Sequence, residues 1–176
     1  MKILFINGSP NKEGNTKKLA DALLSGKEYE TINLTDLKIY SYGQNYEDDE
    51  LGVVIDKMKK ADTIVIGSPL YWHNICGSVR NVLDRFYGLV SESELQGRDM
   101  YFLFQGAAPE KWMLEAGEYT MKQFAGLYGM NYKGMATDRT ESSFFSHQDP
   151  KMVEWFVNIV EERKNNNDSS KEKKNW

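Results

Sequence analysis

Short apolar runs alternate along this chain with longer stretches in which apolar residues recur at helical spacing, and few folds accept that alternation. A strand covered on both faces reads as a continuous apolar run, and a parallel neighbour needs a crossover that is usually a helix. The runs Lys2 to Asn7, Tyr29 to Leu34, Asp62 to Gly67, Met100 to Phe104 and Met130 to Ala136 read as five strands. Helical spacing predicts helices from Asn15 to about Gly26, Leu51 to Lys60, Cys76 to Tyr87 and Trp112 to Tyr128, with a last one over Pro150 to Lys164. Proline after Gly67-Ser68 is expected to end the third strand. Right-handed crossovers then give an α/β doubly wound sheet whose ligands sit beyond the carboxyl ends of its strands. The site is therefore expected in the loops after strands one, three and four.

The 176 residues suit one domain, placed at residues 1–164, with the polar stretch 165–176 as a tail. A net charge of -4 gives no global basic field for a nucleic-acid backbone. No apolar run approaches the roughly 20 residues that cross a bilayer. Neither nucleic acid nor membrane is an expected partner. Cys76 is the only cysteine, which excludes an internal disulfide framework and any multi-cysteine zinc or iron–sulfur site built by one chain. No metal site is expected. The apolar stretch Ile3 to Ile6 is too short for a signal-peptide core, so a cytoplasmic location is expected.

Gly8-Ser9-Pro10-Asn11-Lys12-Glu13-Gly14-Asn15-Thr16 joins the first strand to the first helix and is dense in hydroxyls, amides and glycine. Free N–H groups of a first helical turn, with the Ser9, Asn15 and Thr16 side chains, can donate to phosphate oxygens. A Walker A loop is ruled out, because Gly8 and Gly14 are separated by five residues and Asn15-Thr16 follows in place of Lys-Ser/Thr. The dinucleotide pattern G-x-G-x-x-G is also missing after strand one. An ordinary turn with a helix cap remains the plain alternative.

After strand three, Gly67-Ser68-Pro69-Leu70-Tyr71-Trp72-His73-Asn74 places two adjacent aromatics at the same end of the sheet. Such side chains pack on a planar heterocycle, while amides near Tyr71 to Ile75 can meet its polar edge. Core or interface anchoring is the alternative role for Tyr71 and Trp72.

These two loops, together with Asp84-Arg85, resemble the NAD(P)H-dependent FMN reductase family of the flavodoxin-like superfamily, over about Met1 to Ala136. The resemblance implies a three-layer sandwich with a five-stranded parallel sheet in the order 2-1-3-4-5. It implies FMN as cofactor and NADPH or NADH as co-substrate. Ser9, Asn11, Asn15 and Thr16 would then bind the phosphate. Pro69, Leu70, Tyr71, Trp72, His73, Asn74 and Ile75 would border the isoalloxazine, and Gly106 and Ala107 would close the other side. Relatives commonly place the flavin at a two-fold interface, so a homodimer is implied. Many also ligate an iron–sulfur cluster through cysteines in the loop after strand two, but here that loop reads Ile39-Tyr40-Ser41-Tyr42-Gly43-Gln44-Asn45-Tyr46. Tyr40, Tyr42 and Tyr46 either shape a pocket wall or interface, or are solvated.

A flavin carries its own redox chemistry, so no catalytic triad is required. The expected activity passes electrons from NAD(P)H to a small acceptor such as a quinone or free flavin. A single-electron carrier without nicotinamide oxidation is the alternative, and a flavin-binding regulatory protein a third. His73 is a candidate for hydrogen bonding to flavin or substrate, though a structural role is the commoner one for such a residue. Cys76 is read as buried packing before a sensor thiol, Asp84 and Arg85 as structural charges, and His147 has no partner in sequence.

Overall fold

The computed structural model describes residues 1–107 and 109–137. The expected helix over Pro150 to Lys164, the tail 165–176 and His147 lie outside the described residues. In chain order the elements are β1 (Ile3–Asn7), α1 (Asn15–Leu23), β2 (Glu30–Asn33), α2 (Leu51–Lys60), β3 (Thr63–Tyr71), β4 (Asn74–Ile75), α3 (Gly77–Phe86), β5 (Asp99–Gln105), α4 (Lys111–Leu127) and β6 (Asn131–Ala136). The main sheet is parallel and ordered β2-β1-β3-β5-β6. That is the expected 2-1-3-4-5 arrangement of a flavodoxin-like α/β fold, with β5 and β6 in the fourth and fifth places.

Alternation along the strands sorts the core into two layers. Ile3 and Phe5 of β1 pack with Leu19, Ala20 and Leu23 of α1 on one face. Leu4 and Ile6 pack on the other with Val54 and Met58 of α2, Val82 and Phe86 of α3, and Met121 and Phe124 of α4. Each central strand is therefore buried on both sides, which is why its sequence reads as unbroken apolar residues.

Two expectations need correction. Proline does not end the third strand: β3 continues through Ser68 and Pro69 to Tyr71, with Ser68 opposite Phe104 and Pro69 opposite Gln105 of β5. Pairing with β1 stops at Gly67, so beyond it β3 has lost one neighbour, and a residue without an N–H is tolerated there. The stretch after it is not a plain loop either. Tyr71 pairs antiparallel with Asn74, and Leu70 with Ile75, adding the two-residue strand β4.

Helix α4 lies close on β5 because Gly117 has no side chain. A Cβ there would stand 2.4 Å from Cε1 of the fully buried Phe104. Gly126, in the same helix, has nothing within 4 Å of its Cβ position. Gly117→Ala should therefore cost about 1–3 kcal/mol through overpacking. Gly126→Ala should gain about 0.5–1 kcal/mol from helix propensity. Urea unfolding of the two variants checks the opposite signs.

Candidate functional site

Three loops leave the carboxyl ends of β1, β3 and β5, and they are tied to one another. At the end of β1, the N–H of Gly8 donates to the Gly67 carbonyl of β3 at 2.8 Å. The Gly8 carbonyl accepts from Ser78 Oγ at 2.7 Å and from Cys76 Sγ at 3.4 Å. Thr16 of α1 accepts from Gln105 Nε2 of β5 at 3.1 Å. Gly106 completes the ring, since a Cβ there would stand 3.0 Å from the Leu70 Cβ on β3.

The first loop satisfies its own amides. Buried Asn7 donates from Nδ2 to Asn33 Oδ1 and accepts from the Ser9 N–H, each at 3.1 Å. Ser9 Oγ accepts from the Asn11 N–H, and Asn11 Oδ1 accepts from the Glu13 N–H, each at 3.2 Å. Helix α1 then starts after an extended Gly14 with no side-chain cap, which leaves first-turn N–H groups for an outside acceptor. Both buried hydroxyls, Ser9 and Thr16, accept from the protein, and among the described residues neither donates to it. Buried donors without an acceptor are uncommon. An uncapped helix end with two such hydroxyls suits a phosphate, so the residues fit the phosphate of FMN. Asn15 is exposed at the helix start; exposed Asn11 uses its acceptors to shape the loop.

The second loop is a two-residue hairpin turn in which both central residues have positive φ, Trp72 at 47° and His73 at 65°. Adjacent β-strands favour such a turn, but it is normally built from Asn and Gly. A left-handed non-glycine residue costs of order 1 kcal/mol. At this turn Trp72 stands outward, 96% exposed, with Tyr71 half-exposed beside it. His73 packs edge-on against Trp112 at the start of α4, with ring centroids 5.5 Å apart, and Trp112 Nε1 donates to Glu110 at 2.7 Å. Asn74 is exposed and Ile75 is buried beneath the hairpin. Gly106 and the exposed Ala107 leave β5 beside it.

Cys76 and Ser68 prove to be internal. Cys76 is buried, and its N–H donates to Ser68 Oγ at 2.9 Å, while Ser68 Oγ donates to the Pro69 carbonyl at 2.7 Å. Asn7, Ser78, Gln105 and Trp112 were not singled out from sequence. Asn7 and Gln105 carried one available signal, being polar residues at the ends of strands that are otherwise largely apolar and buried.

The tyrosine loop is fastened to α3. Arg85 Nη1 donates to Asp49 Oδ2 at 2.5 Å and to the Tyr40 carbonyl at 3.1 Å, with the two charged side chains 13% and 14% exposed. The Tyr40 and Tyr46 rings lie 4.4 Å apart, and Tyr40 donates to Asp48 at 2.9 Å. Arg85 is thus structural, as its position on the helix implied, and Asp84 pairs with Arg80 at 2.9 Å.

A doubly wound sheet with a donor-lined helix end after its first strand and an aromatic hairpin after its third defines a flavodoxin-like, flavin-binding α/β class. The chain belongs to the NADPH-dependent FMN reductase family, whose family model matches residues 1–137. That is a family of oxidoreductases that work with FMN and a nicotinamide. Over 98 residues the chain is 40% identical to an iron-sulfur flavoprotein of Archaeoglobus fulgidus, a match covering 48% of each chain. It spans about half the length of the curated relatives it matches. The Trp repressor binding protein of Bacillus subtilis is similar in structure at a TM-score of 0.66 and 16% identity, over 92% of this chain and 95% of that one. An FMN-dependent NADH-azoreductase of Bacillus anthracis, solved with FMN, is similar at 0.60 and 18%, over 92% and 95%. At such identities the likeness is one of fold.

Iron–sulfur clusters take four thiolate ligands as a rule. This chain has the single, buried Cys76 and does not supply them.

Two outcomes follow from the site's geometry. Trp72→Asn combined with His73→Gly should stabilise the protein by about 1 kcal/mol in urea unfolding, because those residues match the turn. Burial pushes the Asp49 carboxyl up, but hydrogen bonds from Arg85 and the Leu51 amide, with the Arg85 charge, outweigh it and hold the group below the usual carboxylate range. Its contribution is full above the unfolded value of about 4 and is lost as pH falls through the lowered one. Asp49→Asn should therefore be less stable at neutral pH, yet lose less stability than wild type on acidification below about pH 4. Urea midpoints across that range check it.

Proposed function

We propose that the protein is an FMN-dependent oxidoreductase that takes hydride from NADPH or NADH and passes the electrons to a small acceptor such as a quinone or a free flavin. The observation that carries this reading is the convergence, on one edge of the sheet, of a phosphate-fitting helix end and an aromatic hairpin. Bound FMN would supply an acceptor of hydride at N5. The chain's own residues would bind, orient and exclude water.

Ser9 and Thr16 would donate hydroxyl hydrogens to the FMN phosphate, Asn15 would contribute the first-turn N–H, and Asn11 would shape the loop beside it. Pro69 to Ile75 would border the ring, and Gly106 and Ala107, leaving β5 beside Leu70, would close its other side. His73 holds Trp112 and needs no proton-transfer role. Two electrons and one proton leave the nicotinamide as hydride, and a quinone takes up the electrons with protons from solvent. The small-molecule breadth of the acceptor is supported by similar folds described as a quinone reductase and an azoreductase. An exposed Trp72 and Tyr71 offer an apolar surface to a second copy of the chain, and we place the homodimer there, in a reducing cytoplasm.

Anaerobic mixing of the FMN-loaded protein with NADPH, and separately NADH, should bleach the visible flavin absorbance. No bleaching with either sinks the proposal. Ser9→Ala should weaken FMN binding about tenfold, the value of one hydrogen bond to a charged group, as read by flavin fluorescence quenching.

A further inference from the structure

Gln105 is the last residue of β5, 9% exposed, and its side chain reaches Thr16, which is 89 residues away in sequence and has no exposed surface. Nothing in the packing of the sheet requires an amide there; the same strand buries Phe102, Leu103 and Phe104.

A hydroxyl has one hydrogen and two lone pairs, and its hydrogen turns to suit its surroundings. Left alone at a helix start, the Thr16 hydroxyl can present either a lone pair or its hydrogen to an incoming group. A lone pair facing an anion repels it. Donation from Gln105 Nε2 takes one of the two lone pairs of Oγ1 and turns the hydroxyl hydrogen away from Gln105, and among the described residues no protein acceptor takes that hydrogen. Ser9 is handled in the same sense by a different donor, the Asn11 N–H. Two hydroxyls, on separate elements, are each given an internal donor and each keep a hydrogen to spend.

We propose that Gln105 is a positioning residue for the phosphate site: its amide fixes Thr16 as a hydrogen-bond donor towards an anion at the start of α1. The proposal rests on the reading of Gly8 to Thr16 as the phosphate loop. Thr16 has no exposed surface, so an anion meets its hydroxyl only if the loop around it shifts; residues 11–13 of that loop are exposed, with Lys12 ion-paired to Asp36.

The test compares two ligands that differ by the phosphate alone. Apo protein is titrated with FMN and with riboflavin by fluorescence quenching, for wild type, Gln105→Met, Gln105→Glu, Thr16→Val and the Thr16→Val/Gln105→Met pair. Gln105→Met should reduce the preference for FMN over riboflavin about tenfold, with riboflavin affinity held within about twofold. Gln105→Glu should reduce it further, because a carboxylate accepts the Thr16 hydrogen and turns a lone pair outward. In the Thr16→Val background Gln105→Met should change the preference little, since the hydroxyl it orients is gone. Equal weakening of both flavins would mean that Gln105 only braces the fold, and overturns the proposal. So does an unchanged preference in the Gln105 variants while Thr16→Val lowers it, a result that leaves the phosphate reading standing. An unchanged preference in Thr16→Val overturns both. Should Gln105→Met not fold by circular dichroism, Gln105→Asn removes the same hydrogen bond by shortening the side chain.

Discussion

The close approach of Gly8 to the end of β3 is the constraint on which the rest of the site depends. A Cβ at Gly8 would stand 2.3 Å from Val79 Cγ2 and 3.0 Å from both the Cys76 sulfur and the Gly67 carbonyl oxygen. Only a residue without a side chain lets β1 leave the sheet at that point while its N–H still meets Gly67 and its carbonyl meets Ser78 and Cys76. Gly8 therefore ties the first loop to the end of β3 and to the start of α3, the two segments that flank the hairpin. That junction, with the Gln105–Thr16 hydrogen bond, is a way to keep two halves of a ligand site in register.

The layers of the fold were legible because burial dictates them. Strands covered on both faces cannot carry polar side chains cheaply, so β1, β3 and β5 announce themselves as apolar runs, and amphipathic helices must fill the intervals. Less legible was Pro69, where the local rule that proline ends a ladder gave way to tertiary context. Once β1 has turned away at Gly67, β3 has a free side, and the missing N–H loses nothing there. The hairpin was hidden for a related reason. Trp72 and His73 are not the residues of a two-residue turn, and only the pairing of Tyr71 with Asn74 forces them into it.

Site residues divide along the same line. Ser9 and Thr16 could be singled out as candidates from the loop because their chemistry is local to it. Gln105 could not, because its partner is separated from it by most of the chain and the meaning of the contact lies in which atom donates. Ser78 was missed likewise: it looks like any hydroxyl in a first helical turn, and its role is to hold the Gly8 carbonyl. The tyrosine loop lies between these cases. Its acidic and aromatic composition was plain, but the Arg85–Asp49 pair that fastens it joins residues on separate segments.

Stability and recognition are set against each other at two places along one edge of the sheet. At the start of α1 a capping side chain in place of Gly14 would contribute a few tenths of a kcal/mol, about 0.3, and the chain goes without one, leaving N–H groups and two hydroxyl hydrogens for something else. At the turn of the hairpin, asparagine and glycine would relieve the strain that Trp72 and His73 carry. Neither departure improves the packing of the core. Folded proteins break local rules where a ligand repays the cost, and here the two breaks lie at the carboxyl ends of adjacent strands, one polar and suited to an anion, the other aromatic and suited to a plane. A ligand with a charged end and a flat end, held across those ends, would satisfy the first and cover the second.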